Sequence, residues 1–322
     1  MEYRTLGRTG MAVSGVCLGT SRLVVEEDAD GLAARSREAG LDLLEAAWDH
    51  GVNFIDTANI YGRPRGESEV VIGDWLSGVD RGQVVLASKV RGDLYEGPNG
   101  GGLSRKHIMR AVEDSLDRLG TDYLDLYYLH WWDDDVPLET TFAALDDLVD
   151  RGRVHHVGVS NFAPWQLVET LRVCADHGFV TPDVVQPEYS AIERPTALLE
   201  VCRREGIAVC GYRPLAGGFL TGKYERDAAP PPDSRGGHSE EFEGFDDDAW
   251  SVLAAVEAVA EVVDATPAQV ALAWVRETPG LTSIPIVGAT SVAQLEENVG
   301  STTVSLSRSQ RETITDALAS GD

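Results

Sequence analysis

Lysine is nearly missing from this chain of 322 residues. Lys89, Lys106 and Lys223 are the three it has, and the remainder of its 27 basic side chains are arginine. Cations are scarce altogether, since 53 carboxylates leave a formal net charge of −26. That charge repels nucleic acid and anionic membrane surfaces, which excludes both as partners of the molecule as a whole. An acid-rich, lysine-poor surface fits either a salt-accumulating halophile, where screening removes the self-repulsion, or an ordinary acidic bacterial protein. Long apolar runs are also lacking: none approaches the roughly 18 residues of a membrane span. The N-terminus MEYRTLGRTGMAVSG has neither the basic nor the apolar region of a signal peptide, so a cytoplasmic location is predicted. Cysteine is sparse, and Cys17, Cys174, Cys202 and Cys210 show no C-x-x-C spacing and no accompanying histidine cluster. Reduced structural thiols are expected, and no metal site. No G-x-G-x-x-G follows a strand-like run, which weighs against a doubly wound dinucleotide-binding sheet.

What is present is an alternation of short apolar runs with longer amphipathic ones. A hydrophobic fraction of 43% suffices for a sizeable core, and the length suits two average domains or one large barrel. Candidate strands are 16–19, 53–56, 84–89, 124–130, 154–159, 184–186, 207–211 and 283–287. Helical patterns cover 36–50, 68–76, 104–119, 138–151, 164–177 and 196–205 between them, then 248–263 and 268–277. Eight strands separated by helices predict an α/β fold, a (β/α)8 TIM barrel. The first fifteen residues read as a hairpin closing the barrel bottom, and 307–318 as an extra C-terminal helix. Neither an internal repeat nor a dividing linker is visible, so residues 1–322 read as one domain. The Pro- and acid-rich stretch 227–248 reads as an exposed loop.

In such a barrel the C-terminal strand ends converge on one face. Here the second strand ends on Asp56, the third on Lys89 and the fourth on His130, with Tyr61 in the loop after the second. One ionisable residue ending an apolar strand is commonplace capping; three in succession beside a tyrosine favour catalysis. Together they suit one chemistry. A lysine ammonium stabilises a phenolate and pulls its pKa down, a carboxylate orients the lysine, and an imidazole positions a substrate oxygen. Such a set gives a proton to a carbonyl oxygen as it becomes an alkoxide, or takes one from an alcohol in reverse. The set has no serine or cysteine nucleophile arrangement, and the chain shows no acid pair with a supporting motif for hydrolysis.

Ordered motifs along nearly the whole chain make the resemblance specific: YRTLGRTGMAVSGVCLGT, GVNFIDTANIYG with GESE, LASKV, LYYLHWW, GRVHHVGVSNF, VVQPEYS, GYRPLAGGFLTGKY and SIPIVGATSVAQLEEN. The sequence resembles the aldo-keto reductase family, single (β/α)8 barrels that bind NAD(P)H in extended form and reduce aldehydes and ketones. The resemblance implies Tyr61 as proton donor, Lys89 and Asp56 as the pair lowering its pKa, and His130 as the carbonyl-orienting residue. It implies cofactor contacts at Thr20, at Ser160, Asn161 and Gln186 for the carboxamide, and at Tyr212 stacking on the nicotinamide. It further implies a pyrophosphate loop with Arg213, Leu215, Gly217, Leu220, Gly222 and Lys223, and an adenosine segment with Gly288, Thr290, Gln294, Glu297 and Asn298. VGVSNF also reads as a strand followed by a helix cap at Ser160 or Asn161, a role compatible with that contact. GGFLTGK alone fits a phosphate-binding G-x-x-x-x-G-K loop, but Tyr224 stands where the magnesium-binding Ser or Thr belongs, so an NTPase is rejected.

Two departures from the family pattern matter. Arg213 stands where serine is common, adding a cation that either strengthens cofactor binding or pairs with a carboxylate. Family members preferring NADPH usually carry a basic residue near Thr290 for the 2′-phosphate, whereas residues 285–307 contain none. Family habit favours NADP(H) and local chemistry favours NAD(H); NADP(H) is placed slightly ahead, with Arg213 or Arg308 as candidate cations. Trp131 and Trp132 are placed to line the mouth and suit a sugar ring or aromatic aldehyde, although packing under a loop competes for either. The expected partner is a small carbonyl or alcohol substrate, and the oligomeric state is open. The alternative function is a cofactor-binding regulatory subunit with little turnover, as in channel-associated relatives of the family.

Overall fold

The computed structural model describes residues 1–24, 35–226, 228–231 and 244–318. Its centre is a closed barrel of eight parallel strands: β3 (Cys17–Gly19), β4 (Phe54–Asp56), β5 (Val85–Val90), β6 (Leu124–Leu129), β7 (Val154–Ser160), β8 (Val184–Gln186), β9 (Ala208–Gly211) and β10 (Ser283–Val287). Neighbours in sequence are neighbours in the barrel, and β10 closes it by pairing with both β9 and β3. Side chains alternate between two apolar layers along each strand. Phe54, Ala87, Tyr128, Val184, Cys210 and Ile284 fill the interior, whereas Ile55, Leu86, Tyr127, Val185 and Val209 face the helices. The expected (β/α)8 fold is therefore the observed one.

An antiparallel hairpin, β1 (Tyr3–Thr5) with β2 (Ala12–Ser14), precedes the barrel. Leu6 and Val13 join the interior cluster beside Cys17, Phe54 and Val85, so the hairpin plugs the end where the strands begin. The helices are α1 (Arg37–Asp49), α2 (Glu67–Leu76), α3 (Arg105–Leu119), α4 (Leu138–Asp150), α5 (Pro164–His177), α6 (Thr196–Glu205), α7 (Asp247–Val263), α8 (Pro267–Arg276), α9 (Val292–Gly300) and α10 (Arg308–Asp316). Their starts carry the residues that satisfy orphan amides: Ser36, Ser104 and Asp246 accept from the third helical N–H, and Thr266 and Ser307 form capping boxes with Gln269 and Gln310. One helix was not expected. The adenosine segment from Gly288 to Asn298 carries no helix in the sequence reading, yet from Val292 the chain winds into α9, with Ser291 as its cap. The acidic run 227–248 lies partly outside the described residues. Among the described residues no helix is long and apolar enough to cross a membrane.

Candidate active site

The two-residue period of the strands chooses the side chains at the barrel mouth. Asp56, Lys89, His130, Gln186 and Tyr212 each follow, two positions on, an interior residue: Phe54, Ala87, Tyr128, Val184 and Cys210. Lys89 is fully buried, and its Nζ donates to Asp56 Oδ1 (2.5 Å), to the Thr57 carbonyl (2.8 Å) and to the Tyr61 hydroxyl (3.2 Å). The His130 ring meets the Tyr61 ring edge-on at 5.8 Å and stacks on Trp131 at 3.8 Å. The four candidate catalytic residues are thus brought together.

Their electrostatics correct one expectation. The sequence reading has Lys89 and Asp56 jointly lowering the Tyr61 pKa. Burial raises it most, the Lys89 ammonium lowers it and the Asp56 carboxylate raises it again, leaving the phenol above its ordinary value. Tyr61 therefore rests protonated, as a donor must. For Lys89, burial favours loss of the proton, but Asp56 and Tyr61 outweigh it and the ammonium is retained. Burial, Lys89 and Arg91 drive His130 down to about 2, so its imidazole is neutral.

The loop presenting Tyr61 is pinned by the start of α2. The Tyr61 carbonyl accepts from the N–H of Gly66 (3.1 Å) and of Ser68 (3.2 Å), and the Ser68 hydroxyl donates to the Thr20 carbonyl (3.1 Å). Gly62 makes this possible: its φ is +88°, and a Cβ there would lie 2.7 Å from the Ser68 nitrogen. The GESE motif is a brace for the phenol. One residue on, fully buried Glu69 accepts from Ser88 Oγ (2.5 Å) and Arg118 Nε (2.8 Å), tying α2 to β5 directly behind Lys89.

A second set of side chains is bonded to the first. Gln186 Nε2 donates to Asp56 Oδ2 (2.8 Å), and Ser160 Oγ donates to the Gln186 carbonyl (2.9 Å). Asn161 Nδ2 donates to the His130 carbonyl (2.9 Å), while its Oδ1 accepts from the Tyr212 hydroxyl (2.8 Å). Asn161 holds this position at φ +57°, a conformation asparagine tolerates.

All of this opens into one cavity of about 800 Å³. Of the sequence-predicted residues, Thr20, Asp56, Tyr61, His130, Trp131, Ser160, Asn161, Gln186, Tyr212, Arg213, Leu215, Gly217, Lys223, Gly288, Thr290, Gln294, Glu297 and Asn298 line it. Lys89 sits behind Asp56 and Tyr61. Leu220, Gly222 and Trp132 do not line it. Leu220 is buried in the core, and Gly222 ends a short helical turn with its Cα toward Glu257 and Pro267. Trp132 turns away to pack on Phe162 and Trp165 and to donate to Asp134. Arg213 lines the cavity and pairs with Glu188 at 2.8 Å, the carboxylate pairing that was one of the two alternatives raised by the sequence.

An extended dinucleotide suits this cavity. Arg22, Arg35, Arg213 and Lys223 line it against two carboxylates, Asp56 and Glu297, a cationic excess inside a strongly acidic protein. Gly218, at φ +97°, lies against the end of Lys223, where an added Cβ would meet Nζ at 2.8 Å. An added Cβ at Gly288 would meet nothing within 4 Å, so backbone is exposed to a ligand there. Sequence reading missed Arg22 and Arg35 because they stand in no motif; both come from the segment before α1, remote in sequence from everything else at that end.

Comparison with known proteins agrees with this geometry. A profile of the Aldo/keto reductase family matches residues 15–319. The chain is similar to "Uncharacterized oxidoreductase YrpG" of Bacillus subtilis, 36% identical with 96% of this chain and 93% of that protein covered. It is similar to "Probable voltage-gated potassium channel subunit beta" of Arabidopsis thaliana, 33% identical over 93% of this chain and 90% of the other. It is also similar to "L-glyceraldehyde 3-phosphate reductase" of Escherichia coli K12, 31% identical over 93% and 87%. With the profile spanning nearly the full length and these relatives covered almost end to end, the chain belongs to the aldo/keto reductase family, the nicotinamide-dependent oxidoreductases.

Proposed function

We propose that the protein reduces a small aldehyde or ketone with NADPH, and oxidises the corresponding alcohol in reverse, with Tyr61 as proton donor. The observation that carries this is Lys89 Nζ held between Asp56 Oδ1 and the Tyr61 hydroxyl, with the phenol facing the cavity. When bound, the nicotinamide supplies the hydride. Ser160, Asn161 and Gln186 would hold its carboxamide and Tyr212 would stack on its ring. Neutral His130 would donate to the carbonyl oxygen and hold it beside Tyr61. As charge develops on that oxygen, Tyr61 gives up its proton, and the nearby Lys89 ammonium stabilises the phenolate left behind. Trp131, stacked on His130, would line the substrate side. A short-chain aldehyde, such as the relative's name indicates for that protein, is a sensible first substrate class.

The test is Tyr61→Phe in a screen of aldehydes, ketones and sugars with both cofactors. Turnover should fall by about 10²–10⁴-fold while cofactor still quenches tryptophan fluorescence. Unchanged turnover would remove Tyr61 from this role. Tight cofactor binding with no turnover on any carbonyl would favour the regulatory-subunit reading instead.

A further inference from the structure

The adenosine end of the cavity poses a chemical problem, because residues 285–307 contain no cation for a 2′-phosphate. The fold supplies one from elsewhere. Arg35, two residues ahead of α1, reaches across so that its Nη1 donates to the Ala289 carbonyl at 3.0 Å, and the same nitrogen donates to the Arg22 carbonyl. Ala289 adjoins Thr290, and Arg22, Arg35, Ala289, Thr290 and Gln294 all line this end of the cavity.

Three features mark Arg35 as an anion receptor. Its two hydrogen bonds both use Nη1 and both go to neutral carbonyls. The Nε–H and Nη2 edge, which fits a phosphate bidentately, has no partner among the described residues. Acids outnumber cations almost two to one in this protein, and Arg37, only two residues on, is held by both Glu67 and Asp74, yet Arg35 forms no ion pair among the described residues. Finally, α9 begins at Val292, capped by Ser291, so the partly positive start of a nine-residue helix lies at the same end. Thr290 is tied to this helix start, since its N–H and hydroxyl both donate to Gln294 Oε1 at 2.8 Å. Glu297 is the carboxylate lining this end, three residues beyond Gln294 on α9.

We propose that Arg35 selects NADPH over NADH by receiving the adenosine 2′-phosphate on its Nε/Nη2 edge beside Thr290. This rests on the reading above that a nicotinamide cofactor lies with its reactive end at Tyr61. Arg35 thereby replaces the basic residue that the adenosine segment lacks.

The experiment measures dissociation constants of NADPH and NADH by tryptophan quenching, with adenosine 2′,5′-bisphosphate and 5′-AMP as competing probes. Wild type, Arg35→Gln and Arg35→Lys are compared at about 0.1 M salt, where a surface anion site is not screened out. Wild type should prefer NADPH, and the bisphosphate over 5′-AMP. Arg35→Gln should weaken NADPH and the bisphosphate by about 10- to 100-fold, the loss expected for hydrogen bonds to a charged group, with NADH and 5′-AMP changed less than about twofold. Arg35→Lys, keeping charge without the fork, should fall between. Equal losses for both cofactors would mean a structural role and overturn the assignment, as would a wild type that does not distinguish the two probes, a result independent of any variant's folding. A wild type that binds both cofactors alike would sink Arg35 alone and leave the cofactor reading standing. One that binds neither would sink both.

Discussion

His130 illustrates how the barrel mouth sets a single proton's behaviour. It is 5% exposed, beside Lys89 and close to Arg91, and all three influences oppose the imidazolium. Its folded-state value of about 2 lies far below that of an unfolded histidine, so between the two the unfolded chain binds the extra proton. The sign follows: the stabilisation is complete above about pH 6.5 and is lost as pH falls, by up to about 1.4 kcal/mol per pH unit. We predict that His130→Gln flattens the acid limb of stability between about pH 6.5 and pH 4, read by urea unfolding at several pH values; an unaltered slope would contradict it. The same neutrality lets His130 act as a hydrogen-bond donor throughout the neutral range without titrating. Tyr61 shifts in the opposite direction: burial, its largest influence, raises it, and the Lys89 ammonium opposes that rise.

Among elements, α2 does most to hold the site. Its first turn grips the Tyr61 carbonyl, and its Glu69 locks to Ser88 on β5 and Arg118 on α3. Ser88 and Lys89 face opposite sides of the same strand, so the Glu69 contact and the Lys89 ammonium share one backbone. Burial is the largest influence on Glu69 and leaves its carboxyl above the ordinary range despite Arg118. A group raised in the folded state contributes stability at low pH that is lost as pH rises through its folded value. Arg118→Met removes the compensating cation and raises Glu69 further. The variant should lose about 3–5 kcal/mol near neutral pH, and less as pH falls and the carboxyl takes up its proton. Denaturant melts at pH 5 and pH 8 separate this from a simple packing loss, which would be the same at both. The motif GESE was readable as a helix start beside an active-site loop; its grip on Tyr61 needed Gly62 in a left-handed conformation, which the letters alone do not reveal. The start of α9 was overlooked for a related reason, since SVAQLEEN reads equally as a ligand-wrapping segment and as Ser-capped helix.

At the scale of the molecule, a formal charge of −26 is spread over a barrel whose mouth cavity is lined by four cations. Many exposed arginines are already bound to acids, among them Arg172 with Glu169 and Asp176, and Arg203 and Arg204 with Glu200. The uncompensated carboxylates repel one another, so added salt should stabilise the fold. We predict a melting temperature that climbs between about 0.1 M and about 1 M KCl; a flat or falling curve would leave the halophile reading without support. The chain order by itself determined the alternation of strand and helix and the ionisable residues at the ends of β4 and β5 and just past the end of β6, with Tyr61 in the following loop. Those signals are local: a two-residue period and a charge at the end of an apolar run are written in consecutive residues. Barrel closure alone decided which distant residues share the mouth, that Trp132, Leu220 and Gly222 stand outside it, and that Arg35 meets Ala289 across 254 positions of sequence. It also decided the net proton affinity of Tyr61, because desolvation sums over every neighbour the fold assembles, and no stretch of sequence contains that sum.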